Sequence, residues 1–285
     1  MIEANYYAPR KLDEALQLLT GGIDGLVVLA GGTDLMPKIN YYENHPKAVM
    51  YLGGVGLEYI RDDGGELVIG ACTPIARILQ SDLVVKAAPI LVEAASKHSS
   101  PAIRSVGTIG GNIINASPAA DMVVPLIAMD ASLVLASAAG ERTLKIGEFF
   151  KGPGETACAA NELLKEIHVP KAKGGTAFVK LGKRKAQMLS VVSAGVRLYT
   201  EGGVCKEARI ALGSVAPTAI RCPEAEAMLT GAQITPDLLR KAAQAAMDAS
   251  NPIDDTRATA WYRKEAGVGI ARQALFAAAG LEYTD

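Results

Sequence analysis

The chain has 285 residues, enough for one large or two to three small domains, and its 49% hydrophobic and 21% charged residues make an ordinary globular balance. A formal net charge of -1 speaks against a nucleic-acid or acidic-membrane binder, which carries a basic excess, and leaves a small molecule or another protein as the partner. Residues 1–9 hold neither a basic region nor a long apolar run, and the most apolar stretch, residues 122–139, is cut by Pro125 and Asp130; a secretory signal and a membrane span are both disfavoured, and a cytoplasmic protein is expected.

In chain order, Leu12, Ala15, Leu16 and Leu19 stand at helical spacing and predict an amphipathic helix over residues 11–19, ended by Thr20-Gly21-Gly22. A strand at 26–30 runs into Leu29-Ala30-Gly31-Gly32-Thr33-Asp34-Leu35, and another strand follows at 48–52. A glycine pair lets successive backbone N–H groups converge, because no Cβ blocks positive φ or the approach of a bulky anion. The pair sits at the carboxyl end of a strand, where open α/β sheets bind ligands.

A second unit starts with a strand at 67–70, a helix at 75–80 and a longer helix over about 86–98. Then comes a second glycine pair, in Thr108-Ile109-Gly110-Gly111-Asn112-Ile113-Ile114-Asn115-Ala116-Ser117-Pro118-Ala119-Ala120-Asp121, followed by strands at 132–137 and 163–169. Alone, each pair reads as an ordinary tight turn; together, with polar residues after both, they suggest two cradles for linked phosphates. Residues 170–175 look like a linker. Strands at 176–181, 191–199 and 208–214, then helices at 224–229, 236–249 and 257–279, describe an α+β domain.

Cys72, Cys158, Cys205 and Cys222 are scattered, as are His45, His98 and His168, so no zinc or iron–sulfur site and no catalytic triad is visible. Neither glycine pair fits G-x-G-x-x-G, and no G-x-x-x-x-G-K-[ST] occurs, which disfavours a Rossmann site and a P-loop.

The segments 30–35, 108–113 and 116–121, together with Phe178-Val179-Lys180-Leu181-Gly182-Lys183-Arg184-Lys185 and Trp261-Tyr262-Arg263, resemble the FAD-binding subunit of molybdenum hydroxylases, in family order along nearly the whole chain. That family includes the flavoproteins of xanthine, carbon monoxide and nicotinate dehydrogenases. The resemblance implies an α+β protein: an FAD-binding domain of the vanillyl-alcohol oxidase type over residues 1–170, in α/β subdomains of about 1–55 and 56–170, then a C-terminal α+β domain of the carbon monoxide dehydrogenase flavoprotein type over 171–285.

It further implies that Leu29, Ala30, Gly31, Gly32, Thr33, Asp34 and Leu35 cradle the FAD pyrophosphate from one side, and Thr108, Gly110, Gly111 and Asn112 from the other. Asn115 and Asp121 would bond ribityl or ribose hydroxyls; Asp121 also reads as a helix N-cap before Met122. Leu163 and Leu164 match positions that pack on the flavin or adenine, although any strand interior also takes leucines. Lys180 matches a lysine near the isoalloxazine ring; the alternative is a solvated lysine on a strand edge. No catalytic residue and no metal ligand is assigned. The implied function is electron transfer within a hetero-oligomer. A molybdopterin-containing large subunit oxidises the substrate, a small subunit with two [2Fe-2S] clusters relays electrons to this FAD, and NAD+, a quinone or another acceptor takes them. The chain lacks the cysteine-bearing loop of some members and has Met188-Leu189 where others place a tyrosine, which leaves the acceptor open. A self-contained flavin oxidase or reductase on the same fold and a non-enzymatic nucleotide-binding subunit are the competing readings.

Overall fold

A computed structural model describes residues 4–41, 45–184 and 187–283. Met1–Glu3 of the N-terminal reading and Lys185 of the Phe178 motif lie outside the described residues.

The first unit comprises β1 (Asn5–Tyr7), α1 (Leu12–Thr20), β2 (Leu26–Leu29), α2 (Leu35–Asn40) and β3 (Ala48–Tyr51). Its three strands form a parallel sheet in the order β1-β3-β2, and Ala15 and Leu16 of α1 pack with Met50 and Leu52 in a small core. The β2–α2 connection, which carries the first glycine pair, therefore emerges at the carboxyl end of a parallel strand.

The second unit is an antiparallel sheet, β4-β5-β10-β6-β7, made of β4 (Ile60–Asp63), β5 (Glu66–Gly70), β6 (Ser132–Ser137), β7 (Gly140–Lys145) and β10 (Leu163–Pro170); β8 (Phe150–Gly152) and β9 (Glu155–Thr156) form a separate hairpin. Leu67, Ile69, Leu133, Leu135, Ile167 and Val169 recur with the strand period of two. They bury against α3 (Ile75–Gln80), α4 (Asp82–Ala87), α5 (Pro89–Lys97), α6 (Pro101–Val106), α7 (Ile109–Ile114) and α8 (Val123–Ala128), whose apolar residues complete the largest core. The single helix expected over 86–98 is two helices. Ala88 adopts φ −148° and ψ 64° because Pro89 excludes the residue before it from helical geometry. The apolar stretch 122–139 divides into the wholly buried α8 and strand β6, and no helix of the described residues is long and apolar enough to cross a membrane.

The third unit is the antiparallel sheet β11 (Gly175–Leu181), β12 (Val192–Glu201), β13 (Val204–Gly213) and β14 (Ile220–Arg221), with α9 (Pro223–Leu229), α10 (Pro236–Asp248) and α11 (Ala260–Ala278) on one face. Its other face packs on the second unit, where Phe178 and Ala211 join the larger core. Val124 of α8 is so close that a Cβ at Gly213 would lie 2.6 Å from it. The strands of this sheet are thus covered on both sides, which is why β12 is continuously buried from Val192 to Leu198. The expected linker is fastened at its start: Lys171 N–H donates to Gly65 O and Ala172 N–H to Ala87 O.

Candidate functional site

A cavity of about 480 Å³ opens at the seam between the first two cores. Leu163, a member of the small core, and Leu164, a member of the large one, both line it, and Leu52 and Cys72 face it from one side with Ala71 and Ile75 from the other. Of the residues singled out in the sequence, Leu29 through Leu35, Thr108, Gly110, Gly111, Asn112, Asn115, Leu163 and Leu164 line this cavity. Asp121 and Lys180 are not among its lining residues.

The β2–α2 loop is built for an acceptor that the protein does not supply. Gly32 holds φ +70°, and a Cβ on Gly31 would lie 2.0 Å from Val106 O, so the loop can adopt this course only with glycine at both positions. Met36 N–H closes the turn on Gly32 O, but among the described residues the N–H groups of Gly31, Gly32, Thr33, Asp34 and Leu35 have no acceptor. Leaving backbone donors unpaired is costly unless water or a ligand meets them.

The second glycine pair differs from the expected turn. Gly110 and Gly111 lie inside α7, capped by Thr108, whose Oγ1 accepts the Gly111 N–H at 3.0 Å. Ile109 N–H donates to Thr73 O, Gly110 N–H to Ala71 O and Asn112 N–H to Thr108 O, so these donors serve the protein itself. The reason is register: residues 107–110 run antiparallel to 71–75, and a Cβ on Gly110 would lie 2.5 Å from Ala71 O. What this segment offers a ligand is a bare glycine wall and Asn112, whose Oδ1 is buried without a partner.

Asp121 does not cap α8, whose N-cap is Met122. Its Oδ2 accepts from Lys180 Nζ at 2.6 Å and lies 3.1 Å from His98 Nδ1, while Oδ1 accepts from Ser190 Oγ at 2.8 Å. Burial works against its charge, but His98, Lys180 and Ser190 outweigh it and hold the carboxyl below the ordinary carboxylate value. Lys180 is on an edge strand yet its side chain is wholly buried, because β11 packs on α5 and Lys180 also donates to Met188 O and Lys97 O. Arg263 of the C-terminal motif is likewise buried away from the cavity, donating to Val191 O, Ser214 O and Asp255 Oδ1.

Ser99, Ile103, Gly107, Cys158 and Glu162 line the cavity without having been singled out for it; His98, a candidate proton-transfer residue of the self-contained flavin-enzyme reading, and Leu189, at the place where some relatives have a tyrosine, line it too. Only proximity to the glycine motifs could have flagged 99–107; the others come from distant segments. Glu162 is tied to Arg142 at 2.6 Å, and burial pushes the Cys72 and Cys158 thiols up to about 11, so neither presents a thiolate at neutral pH. Five free backbone donors, an unpartnered amide oxygen and apolar strand residues fit a long ligand with a pyrophosphate centre and flat apolar ends, as FAD is.

A family described as FAD binding domain in molybdopterin dehydrogenase matches residues 2–172, and one described as CO dehydrogenase flavoprotein C-terminal domain matches residues 177–278. The chain is similar to the glyceraldehyde dehydrogenase medium chain of Sulfolobus acidocaldarius, with 33% identity over 92% of this chain and 94% of that one. It is similar to the nicotinate dehydrogenase FAD-subunit of Eubacterium barkeri, with 33% identity over 96% of this chain and 95% of that one. Among solved structures, carbon monoxide dehydrogenase from Hydrogenophaga pseudoflava superposes with a TM-score of 0.93 at 34% identity, covering 97% of each chain. Likeness along nearly the full length of each relative, with the cavity at the seam of the FAD-binding region, leads to one conclusion: the chain belongs to the FAD-binding subunits of the molybdenum hydroxylases, and its cofactor is FAD.

Proposed function

We propose that this chain is the electron outlet of a heteromeric hydroxylase: it accepts electrons from two [2Fe-2S] clusters on a small partner subunit and passes them to NAD+, a quinone or a similar acceptor, while a molybdopterin-containing large subunit handles the substrate. When bound, FAD supplies the carrier that joins one-electron clusters to a two-electron acceptor; the chain supplies position and electrostatics. Gly31 to Leu35 would hold the pyrophosphate by their N–H groups, with Thr108, Gly110, Gly111 and Asn112 opposite. Asn115 would meet a sugar or ribityl hydroxyl, and Leu163 and Leu164 would give the apolar surface for a ring. Asp121 and Lys180 would act from behind the wall, as a neutralised pair that keeps the site's frame in place.

The observation that carries this reading is the cavity wall itself. It offers a phosphate cradle and apolar faces, its two thiols are held protonated, and Glu162 is tied to Arg142. Relatives named for glyceraldehyde, nicotinate and carbon monoxide stand at 33%, 33% and 34% identity, which supports placing substrate choice on another subunit.

The test is to purify the chain alone, load it with FAD, reduce it chemically and mix it with NAD+ or a quinone. Rapid reoxidation by one of these, with no turnover of aldehydes or N-heterocycles until the partner subunits are added, is the expected result. Substrate oxidation by the isolated chain would overturn the proposal in favour of a self-contained flavin enzyme.

A further inference from the structure

FAD is an anion, yet no lysine or arginine stands among the described residues that line the cavity. Its acidic wall residues are both paired outward, Asp34 with Lys38 at 2.7 Å and Glu162 with Arg142 at 2.6 Å. The thiols of Cys72 and Cys158 stay protonated. The remaining titratable side chain on that wall is His98.

His98 is held on several sides. It ends α5, and Arg104 Nη1 from α6 donates to its carbonyl at 2.8 Å and to that of Ser99 at 3.2 Å. Ser99 adopts φ +44°, a conformation a serine keeps only when its surroundings impose it. Asp121, ionised and accepting at both oxygens, makes His98 Nδ1 the donor of their 3.1 Å contact. That leaves Nε2 without a partner among the described residues, on a side chain that keeps 16% of its surface open. Of the other charged groups packed nearby, Lys180 on β11 offsets Asp121, while Lys97 and Glu93 of α5 are turned to the backbone of Phe178. With Asp121 and Lys180 cancelling, a proton on His98 leaves this trio with a net positive charge on the cavity wall.

We propose that His98 is the titratable cation of the FAD site: protonated, it presents Nε2–H to the bound cofactor and offsets its negative charge, so that FAD binding and protonation of His98 favour each other. The inference rests on FAD as the ligand of this cavity and adds to it a proton-linked contact. Histidine is the side-chain type whose charge ordinarily changes near neutral pH, which is what makes such a contact proton-linked.

Two measurements on the full chain test this. FAD affinity, read by quenching of flavin fluorescence, is expected to weaken about tenfold in the wild type as pH rises across the histidine range, the order of one charge-assisted hydrogen bond. His98→Gln is expected to bind weakly throughout and to lose that slope. His98→Phe, which keeps the bulk, separates the roles: a purely structural histidine would be rescued by it, a proton-carrying one would not. By linkage, the same tenfold must appear as an upward shift of about one pH unit in the His98 imidazole titration followed by NMR when FAD is added. The resonance is assigned among the three histidines by its loss in His98→Gln. Equal titration midpoints with and without FAD, or a wild-type slope retained in His98→Gln, would overturn the inference and leave the cofactor assignment standing. A wild-type chain that takes up no FAD at any pH would overturn both.

Discussion

At Gly31 the missing side chain is what lets the loop take its course. The loop passes so close to α6 that a Cβ would lie 2.0 Å from Val106 O and 2.9 Å from Gly107 Cα, both backbone atoms that cannot swing away. Gly31→Ala is therefore expected to cost about 1–3 kcal/mol, as overpacking does, and to lower the FAD retained through purification. Thermal melting and flavin content check both, and a variant with full flavin and unchanged melting would show that the loop relaxes freely. Glu166 gives a pH-dependent case. Against the cost of burial, Tyr59, His168 and Arg61 bring its carboxyl down to about 2. A carboxylate whose folded pKa lies below its unfolded value, ordinarily about 4.3, stabilises the fold above that value and ceases to as pH falls through about 2. Glu166→Gln should then destabilise at pH 7 by roughly 1–3 kcal/mol, with the gap to wild type closing between pH 5 and pH 2 in urea unfolding curves. A gap that stays constant over that range would contradict the assignment.

Strand β11 is the element that ties the third unit to the cofactor-binding units. Glu93 Oε2 accepts the Phe178 N–H at 2.6 Å and Lys97 Nζ donates to Phe178 O at 2.7 Å, so two side chains of α5 take the hydrogen bonds that an edge strand otherwise offers to solvent. Two residues on, Lys180 reaches Asp121. Lys180→Met should cost on the order of 3–5 kcal/mol, because it strands a buried carboxylate, whereas an exposed strand-edge lysine would change stability by no more than about 0.5 kcal/mol. Chemical unfolding of the variant decides between them. Period and turn residues located most strands and the three C-terminal helices in the sequence, since alternation and 3.6-residue spacing are local properties. The helical state of Gly110 and Gly111 was not legible: glycine is a poor helix former, and α7 exists because Thr108 caps it and the 71–75 segment pairs with it.

Across the whole molecule, the third sheet is covered on one face by its own helices and on the other by α5 and α8. Phe178 and Ala211 sit in the core of the second unit, so the boundary near residue 172 divides the chain but not its largest core. A single calorimetric transition, with calorimetric and van't Hoff enthalpies in agreement, is the expected outcome of heating; two resolved transitions would show that the units unfold independently. The sequence by itself determined the family and the cofactor, because short motifs and their order along the chain are local signals that need no tertiary contact to be read. Only the tertiary structure decided which of those residues form the wall and which stand behind it. It withdrew Asp121 and Lys180 into a buried pair, left the N–H groups of Gly31 to Leu35 free while using those of Gly110 and Gly111, and placed His98 on the cavity. The reason is that these outcomes depend on contacts between residues tens of positions apart, where burial and partner geometry, not residue type, set what a side chain does.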